Sequence, residues 1–261
     1  MKYQLTLLVI FFITNIFSQT KRDFLGQITY TQIINFGIEI KEEYNLYFTK
    51  DWSFSEETDV TEKETYKTTI QEKNGVSNVY VSGRKNKTTK YYYNTNKDFY
   101  FRDNFENEIF LVKEVSKFPK WELINETKNI GGFICKKAKV DFRGRTYFAW
   151  YSEKIALPFG PWKARGLPGI ILEFYEKNYV FYIRTTKILI DNKKNINIKL
   201  PSKEIKNTID IENYFSKKQE IKNRYFQKLS SKMPKGSKPL KIDDNCEDCD
   251  KQILEIFTND K

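Results

Sequence analysis

Residues 26–54 read GQITYTQIINFGIEIKEEYNLYFTKDWSF, and the period of their pattern is two. Ile28, Tyr30, Gln32 and Ile34 fall on one face of an extended chain. Tyr44, Leu46 and Phe48 alternate with Asn45, Tyr47 and Thr49, and Trp52 and Phe54 continue the series. Aromatic and β-branched side chains at every second position fit a pleated surface with one side buried, so this stretch is read as strands. The mode recurs at 66–70, 76–82, 90–93, 98–102 and 108–112. The breaks Lys73-Asn74-Gly75, Gly83-Arg84-Lys85-Asn86 and Asn94-Thr95-Asn96-Lys97 carry the Gly and Asn of tight connections. An antiparallel meander follows.

The second half extends it. Strands are expected at 121–124 and 133–141 around Asn129-Ile130-Gly131-Gly132, then at 146–151, 170–175, 178–187 and 195–199. One helix is expected at about 211–230, where Ile211, Tyr214, Phe215, Ile221, Tyr225, Phe226 and Leu229 follow three-four spacing behind Asp210 as N-cap. Many antiparallel strands with one amphipathic helix predict a mainly β fold: a curved sheet or open half-barrel, with the helix over its concave side or an edge. Nothing divides residues 19–235, which are expected to be one domain, with 236–261 as a charged, cysteine-containing tail.

The start of the chain predicts the compartment. Lys2 precedes an apolar run from Leu5 to Phe17, and the small Ser18 follows it, so a signal peptide cleaved after Ser18 is expected. The run is shorter than the ~20 residues that span a bilayer. The mature chain is therefore expected to be periplasmic or secreted, with no transmembrane span. The net charge of +11 is spread among glutamates along the whole chain instead of forming one basic block, and with a signal peptide this excludes nucleic acid as the expected partner. Tyr91-Tyr92-Tyr93 and Phe99-Tyr100-Phe101 are then ordinary strand aromatics.

Three cysteines and no histidine limit the chemistry. Cys246 and Cys249 form C-x-x-C among carboxylates, which disfavour a reactive thiolate, so a local disulfide or free thiols are expected there. Zinc would lack ligands, and no metal or cofactor is expected. Nucleophile–histidine pairs cannot form. Asp141, Glu153 and Glu173 could supply acid and base, though 34 acidic residues make such proximity ordinary. Arg143, Arg145 and Arg165 are expected in internal ion pairs.

The residues most unlike their surroundings are 149–173, AWYSEKIALPFGPWKARGLPGIILE. Leu167-Pro168-Gly169-Ile170 suits a type II turn, with Gly169 at the positive-φ position. Gly160, Pro161, Gly166, Pro168 and Gly169 form a structural signature. Trp150, Tyr151, Phe159, Trp162, Arg165 and Leu167 are the candidate ligand or partner site; the competing reading is an architectural corner in which Phe159, Trp162 and Leu167 plug the sheet's mouth.

This segment, with Cys135-Lys136-Lys137-Ala138 and Phe142-Arg143-Gly144-Arg145 before it, resembles the GLPGLI family of secreted or periplasmic Bacteroidetes-type proteins. Ile170-Ile171 stand where the family name has Leu-Ile. The resemblance implies no catalytic residue. The expected function is thus a non-enzymatic envelope protein that binds an apolar ligand, such as an envelope lipid, or an outer-membrane protein through residues 150–172. The alternatives are a carboxylate-dependent hydrolase of envelope lipid or glycan and a purely structural accessory of an outer-membrane receptor. A deep apolar cavity, two facing carboxylates or a flat exposed aromatic patch would favour these three in turn.

Overall fold

The computed structural model describes residues 25–36, 39–58, 66–73, 76–83, 90–95, 97–105, 108–114, 118–190, 201, 203–233 and 255. The expected signal peptide, the 195–199 strand, Cys246 and Cys249 lie outside them.

The chain is mainly β. In order come β1 (Gly26–Asn35), β2 (Glu39–Phe48), β3 (Trp52–Glu57), β4 (Tyr66–Lys73), β5 (Val76–Gly83), β6 (Tyr91–Thr95), β7 (Phe99–Phe105) and β8 (Glu108–Glu114). There follow β9 (Glu122–Ile130), β10 (Phe133–Phe142), β11 (Arg145–Ser152), β12 (Ile170–Glu176), β13 (Phe181–Ile190), β14 (Ile209–Asp210) and the helix α1 (Ile211–Ser230). Twelve strands form one open sheet in the order β14-β8-β7-β6-β3-β2-β1-β13-β12-β11-β10-β9, and β4 pairs with β5 apart from it. All pairings are antiparallel except the short one of β14 with β8. The step from β1 to β13 joins two meanders.

Register assigns the faces. Ile28, Tyr30 and Gln32 of β1 pair with Leu46, Tyr44 and Glu42 of β2, and Leu46 and Tyr44 pair with Ser55 and Glu57 of β3. These side chains share the inner face, because neighbours in register point the same way. Val140, Tyr147, Ala149, Phe174, Phe181 and Ile183 continue it on the other side of β1 as the main core. Tyr147 stacks on Phe174 at 4.9 Å. The sheet's gap is bridged by side chains: Phe118, after β8, packs 4.8 Å from Phe142 of β10 and 5.4 Å from Trp121.

The helix occupies the expected residues, and its apolar stripe covers the inner face of β7 and β8. Ile211, Tyr214 and Ile221 pack with Phe99, Phe101, Phe110 and Val112. Asp210 is the N-cap, accepting from the Asn213 amide at 2.7 Å, and this bond holds its carboxyl below the ordinary aspartate value. We expect Asp210→Ala to speed hydrogen exchange at Asn213, and Asp210→Asn to restore most of the protection; equal exchange in all three proteins would show that the cap is idle. No helix among the described residues is long and apolar enough to cross a membrane.

The expected turn at Gly169 needs correcting. Positive φ falls on Gly166, at 90°, and on Trp162, at 52°, while Gly169 has no such angle. Gly169 is needed for closeness instead: a Cβ there would lie 2.2 Å from the Ser152 carbonyl oxygen. The loop doubles back over β11, with Ile170 donating to the Ile155 carbonyl and Ile171 to that of Phe159.

Candidate functional site

Residues 153–169 fold over the inner face and deliver two neighbouring side chains in opposite directions. Trp162 enters the core, 5.1 Å from Phe181 and 5.7 Å from Tyr147. Lys163 turns the other way, its ammonium 4.2 Å from the Phe101 ring centre. Arg165 donates to the Lys163 carbonyl at 3.0 Å and lies over Phe99, while its own carbonyl accepts from Trp121 Nε1 at 2.9 Å. The positive φ of Trp162 is what permits this sharp reversal.

Lys163 is 2% exposed, and two carboxylates meet it. Glu114 of β8 is 3.1 Å away, and both oxygens of Glu255 accept from it, at 2.8 and 2.9 Å. Arg143, in the β10–β11 turn, donates to Glu114 at 2.8 Å from a backbone at φ 50°. Burial alone would push the Glu114 carboxyl up; Lys163 and Arg143 together more than offset it and hold it below the usual glutamate value. Among the described residues, two of the three non-glycine positions with positive φ thus carry or adjoin the cations of one buried ion cluster.

A second polar group lies beside it on the same face. Glu42 accepts from Gln32 at 3.0 Å and from the Tyr44 hydroxyl at 3.1 Å, with Lys90 at 3.7 Å. Tyr44 pairs in register with Glu57, so one tyrosine has a buried glutamate along its own strand and another across from it. Ser55, two residues from Glu57 and 1% exposed, has a buried hydroxyl without a hydrogen-bond partner. Tyr92 joins the groups: its hydroxyl is held far above the ordinary tyrosine value by burial first, then by Asp103, Glu42, Glu255 and Glu57. Tyr214 of the helix donates to Asp103 at 2.5 Å. Partly exposed Tyr92 and Lys90 carry this lining to the surface.

The expected site residues divide between two faces. Phe159, Trp162 and Leu167 are buried together inside, and Arg165 is half-buried at the ion cluster. Tyr151 is buried between β10 and β12. Trp150 is buried on the outer face, under Lys128 at 4.4 Å. Gly160 is needed for close approach, since a Cβ would lie 2.8 Å from the Ala164 carbonyl oxygen; Pro161 accepts from the Ala164 amide and precedes Trp162, and Pro168 precedes Gly169. Asp141, Glu153 and Glu173 do not converge: the first accepts from Thr146, the second pairs with Lys136 and the third with Lys128. Arg143 and Arg145 are in ion pairs, with Glu114 and Glu176. Cys135 is buried, which pushes its thiol up to about 11. No cluster of metal-ligating side chains occurs among the described residues. Sequence reasoning missed Glu42, Glu57, Glu114, Lys163 and Glu255. Alternation on β2 carried a signal, because Glu42 falls in phase with Tyr44, Leu46 and Phe48; Glu57 shares its phase with Ser53 and Ser55 and gave none.

A family profile described as N-glycanase peptide, N-terminal domain, matches residues 104–216. No curated protein matches the chain. Among solved structures the chain is similar to PNGF-II in a C2 crystal form, at TM-score 0.46 and 14% identity over 72% of this chain and 30% of that one. A P21 form of the same protein gives 0.41 and 15% over 74% and 32%. The chain spans about a third of the length of those structures.

The profile match corrects two expectations. It covers residues 133–174, on which the GLPGLI resemblance rested, and assigns them to a different family's profile, so that resemblance is withdrawn. The profile is that of an enzyme's domain, which overturns the expectation of a non-enzymatic envelope protein.

Proposed function

We propose that this protein acts on glycans as a carboxylate-dependent hydrolase. One observation carries the reading: Glu42 and Glu57 are both buried beside Tyr44, the first lying two residues before it on β2 and the second across from it on β3, in a chain whose residues 104–216 match an N-glycanase domain profile. Hydrolysis at a sugar needs one carboxyl to activate water and one to protonate the departing atom. Glu42, oriented by Gln32 and Tyr44, is assigned to water; Glu57 is assigned to the leaving group. Tyr44, held far above the ordinary tyrosine value by burial and then by Tyr92, remains a hydrogen-bond donor throughout. Export after cleavage near Ser18, as one domain with a charged tail, fits an enzyme that meets glycans outside the cytoplasm.

The test is release of sugar from an N-glycosylated peptide, followed by mass spectrometry. Wild type should release glycan, and Glu57→Gln should lower the rate about a hundredfold, within the range for losing an acid–base group, with its melting temperature kept. Absence of release by the wild-type protein, or an undiminished rate in both Glu57→Gln and Glu42→Gln, would overturn the proposal.

A further inference from the structure

The outer face of the sheet carries a row of aromatic rings. Phe148 of β11 pairs in register with Tyr175 of β12, and Tyr175 with Tyr182 of β13. Phe148 and Tyr175 stack with centroids 5.5 Å apart. Tyr179, in the β12–β13 turn, lies flat on Tyr175 at 4.8 Å and 5°, and 5.9 Å from Tyr182.

Tyr179 is an odd residue for its place. Its amide donates to the Glu176 carbonyl at 2.8 Å and its φ is 57°, the left-handed position that closes a short hairpin and ordinarily falls to glycine. The chain instead holds there a tyrosine that is 57% exposed. A strained backbone that presents a large ring to solvent points to a use for the ring.

The next row supplies polar groups. Trp150 pairs with Glu173, and Glu173 with Arg184. Lys128 is 2.7 Å from Glu173, and Lys137 lies 5.3 Å from the Phe148 ring centre and 5.5 Å from that of Trp150. Tyr175 is buried beneath Tyr179, and Tyr182 stands at 62° to Tyr179, so the ring face open to solvent is that of Tyr179, with Tyr182 edge-on beside it and charges at the border.

We propose that this outer-face platform, Tyr179 backed by the buried Tyr175 and flanked by Tyr182, with Glu173, Arg184 and Lys137 at its rim, binds a pyranose ring of a glycan. A sugar ring offers a face of weakly positive C–H groups, which suits the negative face of an aromatic ring, and a border of hydroxyls, which suits charged donors and acceptors. An acyl chain would cover the same rings but strip water from Glu173, Arg184 and Lys137 without replacing it. The choice of sugar rests on the glycan reading above; the platform itself lies on the opposite face from Glu42 and Glu57 and is a glycan-binding surface separate from them.

Titration of the full chain with chitotetraose and with an N-glycosylated peptide, followed by calorimetry, tests this. Tyr179→Gly relieves the backbone, so it should melt above wild type and yet bind at least tenfold more weakly. Tyr182→Ala should also weaken binding, while Ile109→Ala, exposed on β8 and away from the platform, should bind as wild type does. Binding without any glycan release would sink the hydrolase reading and leave the platform standing. Wild-type affinity in Tyr179→Gly, or no binding of either sugar by wild type, would overturn it, as would binding of phosphatidylcholine vesicles, and of neither sugar, that Tyr179→Gly abolishes.

Discussion

Lys163→Met is expected to cost the fold about 3–5 kcal/mol, the usual penalty for removing one partner from a buried ion pair. Methionine keeps the length of the side chain but not its charge, so the ion pairs and the ammonium contact with Phe101 are what is lost. It leaves Glu114, 1% exposed, with the Arg143 bond but without the Lys163 charge, and removes both hydrogen bonds to Glu255. The deficit should depend on pH. In the wild type the Glu114 carboxyl is depressed in the folded state, which contributes stability above the unfolded carboxyl value that is lost as pH falls through the folded one. In the variant the Lys163 charge is gone, so the carboxyl rises from its depressed value and that contribution shrinks. The gap between the two proteins should therefore be widest near neutrality and close as the pH falls below the usual glutamate range toward the depressed wild-type value. Urea midpoints across pH for wild type, Lys163→Met and Lys163→Met/Glu114→Gln would measure it. A gap that ignores pH, or a double variant no more stable than the single one, would show that Glu114 is not the stranded group.

Gly169→Ala should destabilise the protein by about 3 kcal/mol or more, at or beyond the upper end for overpacking. The added methyl would lie 2.2 Å from the Ser152 oxygen, 2.5 Å from its carbonyl carbon and 2.8 Å from the Glu153 nitrogen. All three are backbone atoms, at the junction of β11 with the loop that carries Lys163, and none can swing aside. Gly166→Ala is the control, because its strain is conformational: φ is 90° and the nearest side-chain atom is 4.0 Å away. That change should cost about 1 kcal/mol, and asparagine, which tolerates left-handed backbone, should cost less. Urea melts giving the reverse ranking would put the critical backbone angle at Gly169 after all.

The strand pattern and the helix were legible because alternation and three-four spacing record burial against a neighbouring layer. β9 was read too short for the same reason: ELINETKNI is an edge strand with mostly exposed side chains, and an edge needs no apolar period. β14 was invisible, since two residues carry no period at all. At residues 149–173 the sequence marked an unusual backbone but could not say which glycine bends and which one only makes room. The ion cluster was hidden for a further reason. Glu114, Arg143, Lys163 and Glu255 come from four separate parts of the chain, and each looks like one more surface charge among many until the sheet's curvature brings them together.

The open sheet is spanned by the Phe118 contact with Phe142 and the Arg143 bond to Glu114, so the molecule resembles a bracelet fastened by a clasp of side chains. A clasp can open while the band stays whole. Backbone amides in β1, β2 and β13 would then keep their protection when those near β8 and the β10–β11 turn lose it, and acid, by neutralising Glu114, would loosen this fastening before the strands themselves come apart.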